Sequence, residues 1–358
     1  MVFTILIAIF SLGILIFLHE LGHFILAKKF GVKVEEFGIG FPPRIFSKKI
    51  GETIYSLNIL PFGGFVKLLG ENAISNDPQS FSAKPVGKRA LIVLGGIFSF
   101  WILALIFLTI GGMLGVPTVV TDTKNLSDLK VQIVSILPGS PAEKANLKVG
   151  DIIEQIRVDN QIIKVENVQQ FREIVEKNKG KEIILGIKRG QEMLNINVVP
   201  RKEVKEGEGP IGILLVNFTL KSYPLHLAFL KSFETIFSLT KNLILTIFYI
   251  LSNLFQKGSL VGTEIAGPVR IVYFVALSFQ MGISYYLFFI GLIATNLAFF
   301  NLLPLPGLDG GKLLFLILEK IRKKPVSPEI ENKITAFFIF ILLFLALIVM
   351  INDLKNLL

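Results

Sequence analysis

Four long apolar runs that carry almost no charge constrain this chain more than any other feature. They cover residues 2–27, 90–120, about 281–303 and 334–351. Each supplies about 18 to 20 apolar positions, the length a helix needs to cross roughly 30 Å of hydrocarbon. In that medium a backbone satisfies its own polar groups only as a helix or a closed barrel, so the runs read as spanning helices. Composition agrees, because 18% of the 358 residues are charged, against about 25% in a soluble domain. No basic residues precede the first run and no small-residue cleavage site follows it, so it reads as a span and not as a cleaved signal peptide.

The bases beside the runs set an orientation. Lys28, Lys29, Lys33, Arg44, Lys48, Lys49, Lys67, Lys84, Lys88 and Arg89 lie between spans one and two, and Lys312, Lys320, Arg322, Lys323 and Lys324 between spans three and four. By the positive-inside rule both connections are cytoplasmic, which places both termini and the region between spans two and three outside. The formal net charge of +10 therefore reports a lipid bilayer as partner, and no nucleic acid. Residues 124–208 are rich in charge and carry short alternating runs such as Val131-Gln132-Ile133-Val134, the pattern of a small water-soluble domain. The Lys/Glu run 201–208 reads as a solvated linker. Residues 225–256 place polar side chains at helical spacing on an apolar cylinder, which suits a helix in the interface or against other helices. The competing reading is a fifth span, with 269–279 dipping back. The expected divisions are 1–120, 121–205, 206–280 and 281–358.

With no Cys in the chain, disulfides, iron–sulfur clusters and thiolate zinc sites are excluded, and any metal must be held by His, Asp or Glu. Two of the three His stand in His19-Glu20-Leu21-Gly22-His23, at the far end of span one. Imidazoles four apart share one helical face and can grip one Zn²⁺, while the Glu beside the first ligand reaches the metal's water. At about 1.5 Å per residue, His23 lies roughly 8 Å and His19 roughly 14 Å inside the Lys28-Lys29 boundary. The third His, His226, fits no metal spacing and reads as an interfacial polar residue.

A catalytic zinc takes three protein ligands and one water. Span three ends in Asn301-Leu302-Leu303-Pro304-Leu305-Pro306-Gly307-Leu308-Asp309-Gly310-Gly311, on the same cytoplasmic side. The prolines stop the helix and the glycines permit a tight turn, so Asp309 can fold back toward the bilayer. Chain physics alone supports equally a second role for Asp309, capping a helix over 312–320. Nearer the N-terminus, 44–50, Gly51-Glu52 and 53–59 read as a hairpin. Its edge can accept an extended substrate strand or merely seal the site.

The pair His19-Glu20-Leu21-Gly22-His23 and Asn301-x-x-Pro304-x-Pro306-x-Leu308-Asp309-Gly310 resembles the site-2 protease family of intramembrane zinc metalloproteases, in its bacterial RseP-like branch. The resemblance covers nearly the whole chain. Phe62-Gly63-Gly64-Phe65-Val66-Lys67 with Gly70-Glu71 is similar to that family's membrane-reentrant β-loop, spanning about 33–75, and Phe81 with Lys84-Pro85-Val86 and Lys88-Arg89 to its lead into the second span. Gly95-Gly96-Ile97-Phe98-Ser99 stands in place of a G-P-x-x-N pattern, and Gly267-Pro268-Val269-Arg270 in place of G-P-V-G. The resemblance implies that His19, His23 and Asp309 bind Zn²⁺, that Glu20 is the general base, and that Asn301, Ser99, Gly63 and Gly64 meet the substrate. Gly96, Ser99 and Arg270 depart from the pattern, which weakens the inference for Ser99 and the 267–271 segment. Residues 138–153, with a helix over 169–177, resemble a PDZ domain, whose groove captures chain ends or extended segments or acts as a steric gate.

The implied fold class is a polytopic α-helical membrane protein of about four transmembrane helices, with a membrane-reentrant β-hairpin region and an inserted extracytoplasmic α+β PDZ domain. The implied function is hydrolysis within the transmembrane segments of single-span membrane proteins, such as anti-sigma factors or signal-peptide remnants, in a bacterial inner membrane. Its partners would be those substrates and a peptide or protein ligand of the PDZ domain. The alternatives are a catalytically silent PDZ-bearing membrane adaptor with a structural zinc, and a metal transporter, which the lack of ionisable residues in spans two and four disfavours. Cysteines introduced at Lys48 and Arg322 should be shielded from an impermeant reagent in intact cells, and one at Lys181 should react. Labelling at all three positions would contradict the orientation.

Overall fold

The computed structural model describes residues 2–71, 73, 75–120, 129–159, 161–204, 208–257 and 267–357. Parts of the expected soluble domain and linker, at 121–128, 160 and 205–207, lie outside the described residues. The chain begins with α1 (Val2–Lys29), β1 (Val34–Ile50), β2 (Thr53–Leu68) and α2 (Val86–Leu114). Then come β3 (Val116–Val119), β4 (Lys130–Ile136), α3 (Pro141–Lys144), β5 (Ile152–Val158), β6 (Gln161–Lys164), α4 (Val168–Lys177), β7 (Ile183–Arg189), β8 (Glu192–Val198) and β9 (Ile213–Lys221). It closes with α5 (Leu225–Lys257), α6 (Pro268–Met281), α7 (Ile283–Leu302), α8 (Asp309–Arg322) and α9 (Pro328–Leu357). Two compact units result, one of residues 1–109, 229–276 and 287–358, the other of 110–228 and 277–286.

In the first unit, α1 ends where Lys28 and Lys29 meet the negative end of the helix dipole, and Gly31 at φ +67° turns the chain into β1. The hairpin is longer than the expected 44–59. Ile50 pairs with Thr53 across the Gly51-Glu52 turn, while Phe37 pairs with both Val66 and Tyr55, and Gly38 with both Phe65 and Ser56. That stretch of β1 therefore has a neighbour on each side, and 64–68 forms an outer edge. Ala27, Val32, Val34, Leu68, Phe81, Ile92, Val93 and Leu316 form one buried cluster joining the end of α1, the hairpin base, α2 and α8.

Two glycines let α1 and α2 approach within backbone contact. A Cβ on Gly95 would stand 2.8 Å from Gly22 O, and one on Gly22 would collide with Ser99 Oγ and the Gly95 carbonyl. Further along α1, a Cβ on Gly13 would stand 2.5 Å from Pro61 O of the hairpin. On α7, Leu302 is the last helical residue because Pro304 and Pro306 cannot continue the ladder.

Among the described residues five helices are long and apolar enough to cross a membrane, one more than expected. The additional one is Leu225–Ile250 of α5. The short helix α6 follows where the five-span alternative needs the chain to dip back. Helix α2 stops at Leu114, although the apolar run continues to Val120, because Gly115 at φ +116° redirects the chain. The next residues pair as strand β3 with β9.

The second unit is built on a seven-stranded antiparallel sheet in the order β3-β9-β4-β5-β7-β8, with β6 beside β5. Alternation is the reason these runs pair, since Val131, Ile133, Ile153, Ile156, Ile183, Leu185 and Ile187 all enter one core. Helix α4 covers it with Val168, Phe171 and Val175, and Asn167 caps its first turn through Gln170 N at 2.8 Å. Asp151 is buried and bound by two Arg189 nitrogens, each at 2.7 Å.

The helix crossing makes a sharp test. Gly22→Ala should destabilise the detergent-purified chain by about 1–3 kcal/mol through overpacking, because its Cβ meets backbone. Gly87→Ala, whose Cβ has nothing within 4 Å, should stay within about 0.5 kcal/mol of wild type. Equal thermal midpoints for the two variants would contradict the close approach.

Candidate metal centre

His19 and His23 stand one turn apart on α1 and are both buried. Asp309 opens α8, more than 280 residues later in the chain. Its Oδ2 lies 3.2 Å from His19 Nε2 and 3.4 Å from His23 Nε2, and the two Nε2 atoms are 3.2 Å apart. Bonds of about 2.0–2.1 Å at tetrahedral angles place ligand atoms about 3.3 Å from one another, so the three distances fit one Zn²⁺-sized ion.

The protonation pattern fits as well. Ile92 O, which can only accept, lies 2.9 Å from His23 Nδ1. That nitrogen therefore carries the proton, and Nε2 presents a lone pair. Asp309 Oδ2 is a buried atom with no hydrogen-bond partner. A carboxylate oxygen and the His23 Nε2 lone pair facing each other at 3.4 Å in a buried site repel unless a cation lies between them. The capping alternative for Asp309 is not what the helix does, because its N-cap is Leu308 and no side-chain cap bond forms.

Neighbouring elements shape the cavity tightly. The Phe100 ring stacks on His19 with centroids 4.4 Å apart. A Cβ on Gly96 would fall on the His23 and His19 imidazoles, so only glycine leaves the rings their places. Gly310 and Gly311 likewise sit where a Cβ would strike the carbonyls of Leu302, Leu303 and Leu305, which is how the turn folds Asp309 back.

Glu20 faces the same cavity of about 200 Å³, with Phe65, Val66, Leu68, Glu71 and Lys312 on its wall. Its Oε2 accepts the Val66 N–H at 3.1 Å, which fixes the carboxylate against the outer hairpin edge. Lys312 forms an ion pair with Glu71. Burial disfavours its ammonium, but the carboxylates of Glu71, Asp309 and Glu20 together outweigh that and hold the Lys312 pKa above its ordinary value.

The residues expected to meet substrate are placed less uniformly. Gly63, at φ +105°, and Gly64 pack on Ile16 and Phe17 of α1, one turn before His19. Ser99 Oγ donates to Gly95 O at 2.9 Å. Asn301, in the last turn of α7, donates its amide to Leu297 O at 3.0 Å. Sequence reasoning missed the contributions of Gly22, Gly96, Phe100, Ile92 O and Lys312. An interior helical glycine such as Gly22 is the one signal available, since it costs about 1 kcal/mol unless packing needs it.

Residues 7–345 match peptidase family M50. A relative from Clostridium perfringens is 33% identical over 346 residues, covering 97% of each chain. The zinc metalloprotease RasP of Oceanobacillus iheyensis is 29% identical over 99% of each chain, and the protease RseP of Yersinia pestis 29% identical over 98% of each.

Metal analysis separates ligand from base. Asp309→Ala leaves two imidazoles and should lower zinc content by at least about tenfold, whereas Glu20→Gln keeps all three ligands and should retain zinc. Full zinc in the Asp309 variant would remove that residue from the ligand set.

Proposed function

The chain belongs to peptidase family M50, the site-2 protease family, and on that premise we propose that it hydrolyses peptide bonds inside the transmembrane segments of single-span membrane proteins. It is a zinc metalloprotease and a multi-pass bacterial membrane protein. The observation that carries the finer reading is the convergence of His19, His23 and Asp309 beside Glu20, in a cavity walled by a hairpin edge. His19 and His23 belong to a helix long and apolar enough to span, which supports a reaction at membrane depth.

When bound by His19, His23 and Asp309, zinc supplies Lewis acidity, which lowers the pKa of water toward about 7 and polarises a carbonyl. Glu20 takes the proton from the attacking water and returns it to the leaving amine. Its bond to Val66 N–H keeps the carboxylate aimed into the cavity. His23 keeps its tautomer through Ile92 O. Gly63 precedes and Gly64 begins the outer edge 64–68, where an unwound substrate adds its own strand. Asn301 meets the substrate backbone from the end of α7, once it exchanges its bond to Leu297 O. Ser99 is the weakest member of that set, because its hydroxyl is spent on Gly95 O.

We read the second unit as a PDZ domain, outside the cell with both termini, that binds or excludes extracytoplasmic parts of substrates. Support comes from a sheet whose strand β9 borders the covering helix α4, with Asn217 Oδ1 accepting Val168 N–H at 2.8 Å. The substrates are membrane proteins already shortened outside, as anti-sigma factors or signal-peptide remnants are in regulated intramembrane proteolysis. Glu20 in the metal cavity favours this reading over an adaptor, since a structural zinc needs no base. Purified wild type should cleave a tagged single-span substrate, and Glu20→Gln should lower the rate by at least about 10²-fold. Equal rates would overturn the reading.

A further inference from the structure

The mechanism above leaves Lys312 unused, although it lines the metal cavity together with Glu20, His23 and Asp309. Lys312 stands one turn after Asp309 on α8, about 5 Å further along the axis. Its partner Glu71 lies three residues beyond the end of β2. At the other end of the same stretch, Val66 N–H is bound to Glu20 of α1. Residues 66–71 are therefore fastened at one end to the helix that carries His19 and His23, and at the other to the helix that carries Asp309. Glu71 and Lys312 also line a second cavity, of about 140 Å³, which Arg89 and Glu319 border with an ion pair of their own. The pair thus stands in the wall that the two cavities share.

We propose that Glu71 and Lys312 are a positioning pair that holds the hairpin edge in register with the metal centre and so selects which substrate bond is cut. This rests on the reading of the chain as a protease that takes its substrate by strand addition. Successive residues of an added strand are spaced about 3.3 Å apart, so a small slip of the edge presents a neighbouring bond to the ligands. Lys312 is suited to anchoring because its ammonium is engaged by the Glu71 carboxylate. Removing either partner leaves a charge without its counter-ion in a half-buried wall, which loosens the edge.

The test uses the full chain in detergent, with Lys312→Met, Glu71→Gln and the exchange Glu71→Lys with Lys312→Glu. Each single variant should retain zinc, show amide hydrogen exchange over 63–71 at least about tenfold faster, and yield products cut at neighbouring bonds as read by mass spectrometry. The charge-exchanged double variant should recover the wild-type product map. Unchanged exchange, or faster exchange with the same single cleavage site, would overturn the proposal. Slower turnover at an unchanged site, with no recovery in the double variant, would assign Lys312 to the chemistry and also overturn it. If wild type and Glu20→Gln alike yield no products while the exchange contrast persists, the protease reading fails, and bond selection with it.

Discussion

Three atoms able to hold one metal ion, each 3.2 to 3.4 Å from the others, face one another in a buried site. This arrangement is unfavourable unless a positive charge lies among the three atoms, because an imidazole lone pair and a carboxylate repel in a buried site. With a divalent ion it becomes a strong link between α1 and α8, elements at opposite ends of the sequence. The rest of the membrane unit keeps those two helices at that separation. The buried cluster of Ala27, Leu68, Ile92 and Leu316 packs their ends together, and the Arg89–Glu319 ion pair ties α2 to α8.

Glycine is what makes the approach attainable. Gly22 and Gly95 bring α1 and α2 to backbone contact, Gly96 leaves room for both imidazoles, and Gly310 permits the turn that returns Asp309. Each costs helix or turn stability in isolation, and each is compensated by the packing it allows. A small side chain at Gly22, Gly95 or Gly310 changes ligand geometry without touching a ligand, whereas one at Gly96 strikes both imidazoles. The metal centre therefore depends on residues that carry no functional group.

Much of this was legible in the sequence, for physical reasons that differ by element. The helical period alone puts His19 and His23 on one face, and the apolar run around them sets the depth expected of them. Asp309 was only half legible, because an Asp after Pro and Gly reads equally as a cap; the choice depends on which side chains stand opposite in space. The strand pattern alone gives a hairpin over only 44–59, since Pro42, Pro43 and Pro61 interrupt it, whereas the β-loop of about 33–75 implied by the family resemblance contains both strands. The end of α2 was read too long, because Val116 to Val120 is apolar whether it continues a helix or pairs with β9. Helix α5 remained ambiguous from composition, since its polar residues are spread at helical spacing through an otherwise apolar stretch. The Glu71–Lys312 pair, joining positions 241 residues apart, leaves no local trace at all.

Everything proposed for the site requires that two imidazoles of one helix and one carboxylate of another share a single zinc ion. X-ray absorption at the zinc edge, on the full chain purified with its own metal, reads that ligand set directly. A four-coordinate shell at about 2.0–2.1 Å with no sulfur is expected, with outer-shell scattering from two imidazole rings that drops to one ring in His23→Ala. A six-coordinate oxygen shell, or a spectrum with fewer than two imidazoles in the wild-type chain, would contradict it.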